Sequence, residues 1–219
     1  MCNLQTPQST TGYISLQWIT GTFGALGEGM EATLISIYLD GETTPSVTYY
    51  PYELTGIPSL TAWNFTKAGE QPPWGSPIFA RNSASSFTNT LPIPFLSSCR
   101  ITLSYEGKSS ATLYYQAHGQ YLDSSAGNNF IPFGNTRLPV NARLVIQRND
   151  LLLPRLAYLP IVNFTSGKGL VAAMAISFTA PNLNTLEGCF HFYESAATPY
   201  PGQLHSTGTE DEFISSYYL

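Results

Sequence analysis

Near the C-terminus, Thr207-Gly208-Thr209-Glu210-Asp211 sets two carboxylates side by side in a polar, glycine-interrupted stretch, just ahead of the aromatic run Phe213-Ile214-Ser215-Ser216-Tyr217-Tyr218-Leu219. A loop beside a strand edge can present Glu210 to a cleft. There the neighbouring Asp211 raises its pKa by like-charge repulsion, as proton-transfer chemistry requires. On composition alone a solvated acidic turn accounts for the same residues, because most exposed Asp and Glu side chains do no chemistry. Other chemistries lack their residues. There is no His-Glu-x-x-His helix and no Gly-x-Ser-x-Gly elbow, and Gly167-Lys168-Gly169 lacks the rest of a phosphate loop. Cys2, Cys99 and Cys189 fit neither a disulfide framework nor a paired zinc spacing. Packed free thiols are expected at Cys99 and Cys189, and no metal or cofactor is implied. His191 and His205 read as packed, hydrogen-bonded residues and receive no role.

The run Leu186-Glu187-Gly188-Cys189-Phe190-His191-Phe192-Tyr193 followed by Gly208-Thr209-Glu210-Asp211 resembles the signature of glycoside hydrolase family 172, formerly domain of unknown function 2961. Asp40-Gly41-Glu42 with Pro45-Ser46-Val47 resembles the family's first turn. Pro92-Ile93-Pro94-Phe95 running into Ser98-Cys99-Arg100-Ile101 resembles a second family segment. The resemblance implies hydrolysis or transfer of terminal α-furanosides, of the fructose or arabinose type, with retention. Such chemistry needs two carboxyl groups about 5–5.5 Å apart. Glu187 and Glu210 match these positions, as nucleophile and acid/base respectively, and Glu187 has a rival reading as a turn residue between Asn184 and Gly188. Arg100, Thr209, Asp211 and Trp74 are the candidate substrate-binding residues. The resemblance further implies a jelly-roll or double-jelly-roll sandwich, truncated at both ends here, and a homo-oligomer built from trimers. A non-catalytic jelly-roll module for carbohydrate binding or structural assembly is the alternative.

The elements that must position these residues read as all-β. Tyr13 to Thr20 alternates, with Ile14, Leu16 and Trp18 on one face and Tyr13, Ser15 and Gln17 on the other. Thr33 to Leu39 points Ile35, Ile37 and Leu39 one way and stops at the turn signal Asp40-Gly41. Pro45 to Pro94 reads as a long irregular region, in which Trp63, Phe65, Trp74 and Phe79 either pack a cap or meet sugar. Cys99 to Glu106 and Ala111 to Leu122 read as the two strands of a hairpin, with Arg100 on the polar face. Asp123 to Asn135 reads as a loop, Leu151-Leu152-Leu153-Pro154 as a short helix or strand, and Val171 to Thr179 and Gly188 to Tyr193 as strands. Ile35 to Gly41 and Phe190 to Ala196 form a weak internal repeat. Two halves are expected, residues 1–122 and residues 123–219, the second carrying the Glu-Asp motif.

The chain of 219 residues is long enough to bury a real core. Its net charge of −5 and sparse, unclustered Lys and Arg argue against a nucleic-acid surface. Charged residues make up only 11% while aromatic residues make up 13%, so Ser, Thr, Asn, Gln and Tyr must cover the surface, as in extracellular β-proteins. Two N-glycosylation triplets, Asn64-Phe65-Thr66 and Asn163-Phe164-Thr165, point to an extracellular site. The first residues carry no basic-then-apolar signal segment, which leaves a cytoplasmic location as the alternative. No stretch reaches the roughly 18 apolar residues of a membrane helix.

Overall fold

A computed structural model describes residues 2–7, 10–23, 29–55, 74–83, 85–123, 129–152, 154, 157–163, 169–174, 191–193, 197–199 and 202–204. The chain divides into two compact units, Met1–Ile176 and Ser177–Leu219.

In the first unit, alternation with one-sided burial generates β3 (Thr33–Leu39) and β9 (Cys99–Tyr105). Ile35, Ile37, Leu39, Cys99, Ile101 and Leu103 are all at most 2% exposed, so the inward face of both strands is apolar throughout. These two strands form the centre of a four-stranded sheet, flanked by β1 (Cys2–Gln5) on β9 and β4 (Val47–Tyr49) on β3. A second sheet carries β10 (Ala111–Tyr121), β2 (Gly12–Phe23), β7 (Ser86–Asn89), β6 (Phe79–Ser83) and β5 (Trp74–Gly75) in that order. Its sixth strand, β8 (Ile93–Phe95), pairs with the beginning of β2. Ile19, Phe79, Phe87, Ile93 and Phe95 from this sheet share one buried cluster with Ile35, Ile37 and Ile101 from the first. The two sheets therefore pack face to face as an all-β sandwich.

β2 departs from simple alternation. Its ladder with β10 runs His118 opposite Leu16 and then Gly119 opposite Ile14, leaving Ser15 as an extra residue. The bulge reverses the phase, so Ile14 joins Gln17 and Ile19 on the core side, while Leu16 and Trp18 stay half-buried on the other face. Tyr13 is buried in a second cluster with Ile131 and Val140. The faces expected from strict alternation are thus corrected by one inserted residue. Backbones approach closely here, since a Cβ on Gly119 would lie 2.2 Å from the Tyr13 carbonyl oxygen. The reversal also places Gln17 in the core, 1% exposed, where its Oε1 accepts hydrogen bonds from the hydroxyls of Tyr49 (3.1 Å) and Tyr115 (3.0 Å). Burial pushes the Tyr49 hydroxyl far above its ordinary pKa, so it stays protonated and donates.

Further expectations need correction. The Pro45–Pro94 region is not irregular throughout, because it supplies β4 through β8 and a short 3-10 turn at Pro51–Leu54. Its inward positions include Arg81 and Asn89, both 0% exposed, and these polar residues concealed the strand pattern. Phe79 is a core residue, whereas Trp63 and Phe65 lie outside the described residues. β9 and β10 do not form a hairpin; the turn after Tyr105 carries the chain from one sheet to the other, because each strand finds its partners elsewhere. Within the expected loop 123–135, Phe130–Phe133 forms β11, which pairs with β12 (Thr136–Pro139). Residues 150–152, 154 and 171–174 belong to no helix or strand, and 175–179 lie outside the described residues.

In the second unit, β13 (His191–Phe192) pairs with β14 (Gln203–Leu204). The rest of the expected strand, Gly188–Phe190, lies outside the described residues, as do Phe190 and 194–196 of the internal repeat.

Candidate functional site

Arg100 lies between the buried Cys99 and Ile101, so alternation turns it to the outer face of the first sheet. Its guanidinium carbon sits 3.6 Å from the centre of the Tyr38 ring, its neighbour across the ladder on β3, in a cation–π stack. Gln5 on β1 stands opposite Arg100 on the other side.

One turn away, the structure joins the two upstream motifs. β3 ends at Asp40 and Gly41, whose φ values of 54° and 81° make a tight turn closed by the Glu42 N–H donating to Leu39 O at 3.0 Å. Aspartate tolerates this left-handed backbone better than most residues. The Asp40 Oδ1 accepts backbone N–H groups of Leu96 (2.7 Å), Ser97 (2.8 Å) and, more weakly, Ser98 (3.4 Å), from the segment leading into Arg100. Its other oxygen is paired with the Arg143 guanidinium. Glu42 closes the same turn by accepting from Leu39 N (3.3 Å) and from the Ser46 hydroxyl. Burial pulls the Asp40 pKa upward, but the N–H groups of Ser97, Leu96 and Ser98, with Arg143, outweigh it and hold the carboxyl below its ordinary value. Cys99 beside this cage is a buried free thiol, pushed up to about 12 by burial and by the Asp40 charge, so it is chemically quiet.

Asp40 is thus a positioning residue for the start of β9. Asp40→Ala is expected to cost about 3 kcal/mol, because it strips the acceptor from the 96–98 N–H groups and places alanine at positive φ. Asp40→Asn, which keeps an acceptor and tolerates the backbone, is expected to cost about half of that. Because the folded-state pKa is depressed, the stabilisation is complete above about pH 4, the ordinary carboxylate value, and is lost as pH falls through the lowered folded-state value. Urea midpoints measured from pH 2 to 6 check this: the wild-type advantage over Asp40→Asn should vanish at the acid end.

A second charged cluster forms around the 3-10 turn. Arg148 grips both oxygens of Glu53 (2.6 and 2.7 Å) and donates to Thr48 O (2.6 Å). The Tyr50 hydroxyl donates to Glu106 at 2.7 Å, which pushes its pKa up to about 12, and the Tyr50 ring stacks on Tyr52. Sequence reasoning missed Arg143, Arg148 and this cluster. Glu53 and Arg148 are 95 positions apart, so no local pattern signals their pairing.

The backbone of Trp74 lies in β5, at the edge of the second sheet, and Arg100 lies on β9 in the first. Glu187, Thr209, Glu210 and Asp211 lie outside the described residues. Among the described residues no group of three or more His, Cys, Asp or Glu side chains could hold a metal ion. Asn163 of the second glycosylation triplet is exposed, and Asn64 lies outside the described residues.

The two packed antiparallel sheets, with the caged turn that ties β3 to β9, define an all-β sandwich domain. Residues 6–132 match the model of the GH172 first beta-sandwich domain. This match spans more than half of the chain, which belongs to glycoside hydrolase family 172. A search among curated proteins gave no match.

Proposed function

We propose that the chain acts as a retaining glycoside hydrolase or transglycosylase on terminal α-furanosides of the fructose or arabinose type. The observation that carries this reading is the family match over residues 6–132. Glu187 attacks the anomeric carbon, while Glu210 protonates the departing oxygen and then activates water or an acceptor sugar. Thr209 and Asp211 flank Glu210 in sequence, and Asp211 keeps its neighbour protonated by like-charge repulsion. Arg100 and Trp74 hold the substrate's hydroxyls and its C–H-rich face. The stack of Arg100 on Tyr38 supports the first of these roles, since it fixes the guanidinium without using up its in-plane donors on the ring. The working protein is a homo-oligomer, extracellular, acting on oligo- or polysaccharides.

The test is to incubate the purified protein with aryl α-L-arabinofuranoside and aryl α-D-fructofuranoside and follow the first-formed sugar by proton NMR. Release with retained configuration is the expected result. Inverted product excludes the two-glutamate displacement. Sugar binding without turnover of either glycoside would instead establish a non-catalytic carbohydrate-binding module.

A further inference from the structure

The six strands of the second sheet contain one Lys, Arg, Asp or Glu between them, Arg81, and its side chain is buried in the core. The outward face of this sheet is therefore uncharged. Charge is displayed instead around the first sheet, at Asp40 with Arg143 and at Glu53 with Arg148. Gln17, Ile19, Phe87 and Asn89 are buried, so alternation turns Trp18 and Thr20 of β2 and Thr88 of β7 outward. On β10 the outward residues are Thr112, Tyr114, Gln116 and His118, all of them exposed, with Tyr114 at 59%. The ladder pairs Gln116 with Trp18 and Tyr114 with Thr20. This sets the two aromatic residues on a diagonal of about 7–8 Å, with Gln116 and Thr20 on the crossing diagonal. Trp18 is half-buried, which limits the motion of its ring, and the Thr20 hydroxyl is oriented by donating to Ser85 O at 3.2 Å.

We propose that this face is a second carbohydrate site, a non-catalytic platform on which Trp18 and Tyr114 stack neighbouring residues of an uncharged oligosaccharide while Gln116 and Thr20 hydrogen-bond its hydroxyls. Sugar rings present C–H groups, which suit the electron-rich face of an aromatic ring. Their hydroxyls both donate and accept, and so do an amide and a threonine hydroxyl. Charge selects among glycans: an acidic polymer or a phosphate needs cations opposite it, and this face offers none. A protein partner fits less well. Threonine is under-represented among the anchors of protein interfaces, and here threonine and glutamine stand beside both rings, with polar groups that a protein would have to satisfy one by one. The platform shares no residue with the site proposed for cleavage, since Arg100 lies in the first sheet and Trp74 on β5, three strands along from β2. The carbohydrate class and the furanose polymers used as probes rest on the glycosidase reading, whereas binding at the platform needs no catalysis.

The test is affinity electrophoresis of the full chain in native gels containing linear arabinan, inulin or, as the acidic control, polygalacturonate. One of the two neutral polymers should retard the protein, and polygalacturonate should not. Tyr114→Ala should weaken the retardation about tenfold, and Gln116→Ala about threefold, with unchanged thermal midpoints because both side chains are exposed. Tyr114→Phe keeps the ring and should retain most of the binding. Glu187→Gln should be retarded like the wild type. No retardation by either neutral polymer overturns the proposal, and so does equal retardation of the wild type and Tyr114→Ala. Equal retardation by polygalacturonate overturns it as well, because the ligand would then be chosen by something other than an uncharged face. Loss of retardation in a folded Glu187→Gln protein assigns the binding to the catalytic cleft and likewise overturns it. Retardation that depends on Tyr114 in a protein that cleaves neither aryl furanoside supports the platform and sinks the glycosidase reading alone.

Discussion

Under the proposed mechanism, Glu187→Gln is expected to slow turnover of every aryl α-furanoside by about 10⁴-fold or more, whatever the leaving group, because it removes the carboxylate assigned to form the covalent intermediate. Glu210→Gln should behave differently. A general acid contributes about 10²–10⁴-fold when the departing oxygen needs a proton, and little when it leaves as a stable phenolate. Cleavage of a dinitrophenyl furanoside should therefore proceed to the intermediate and stall there, and added azide, which needs no general base, should restore turnover. Kinetics of both variants on phenyl and dinitrophenyl substrates give the answer. If Glu210→Gln loses equal activity on the two substrates without azide rescue, the roles are reversed or Glu210 is no acid/base. Full activity in either variant removes that glutamate from the mechanism.

Glu31→Ala is expected to destabilise the sandwich by about 3–5 kcal/mol, a large share of the roughly 5–15 kcal/mol that holds a typical domain together. Arg81 projects from β6 into the core with a side chain 0% exposed, and its Nη1 donates to Glu31 Oε1 at 3.0 Å. The Glu31 side chain is itself only 11% exposed, so solvent screens the pair weakly. Removing the carboxylate leaves a guanidinium charge that cannot reach water. The cost is that of a buried cation deprived of this carboxylate rather than of one lost hydrogen bond. Arg81→Met combined with Glu31→Leu removes both charges and should recover most of the loss, since well-packed apolar residues replace buried ion pairs at little cost. Guanidinium unfolding of the two single variants and the double variant closes the cycle. If Glu31→Ala unfolds at the wild-type midpoint, the pair contributes nothing to stability.

The sequence alone carried what depends on neighbours along the chain. β3 and β9 could be read residue by residue, because one face of each is apolar at every second position and a pleated strand converts that spacing directly into burial. The Asp40-Gly41 turn could be read because few residues accept positive φ. Family membership could be read because four short motifs occur in the right order. Tertiary structure decided what depends on distant partners. A single extra residue at Ser15 sent Ile14, Gln17 and Ile19 to the same face, and no local pattern distinguishes a bulge from an unbroken strand. Gln17, Arg81 and Asn89 became core residues only because the fold supplies partners or enclosure that their own sequence neighbours do not. Gln17 meets hydroxyls 32 and 98 positions away, and Arg81 meets a carboxylate 50 positions away. Asp40 became the clasp of two motifs for the same reason, since its N–H donors lie 56 to 58 positions along the chain. Burying a polar group costs free energy unless it is hydrogen-bonded. Where such a group can be buried is therefore a property of the assembled sheets, whereas an apolar stripe is already present in the strand.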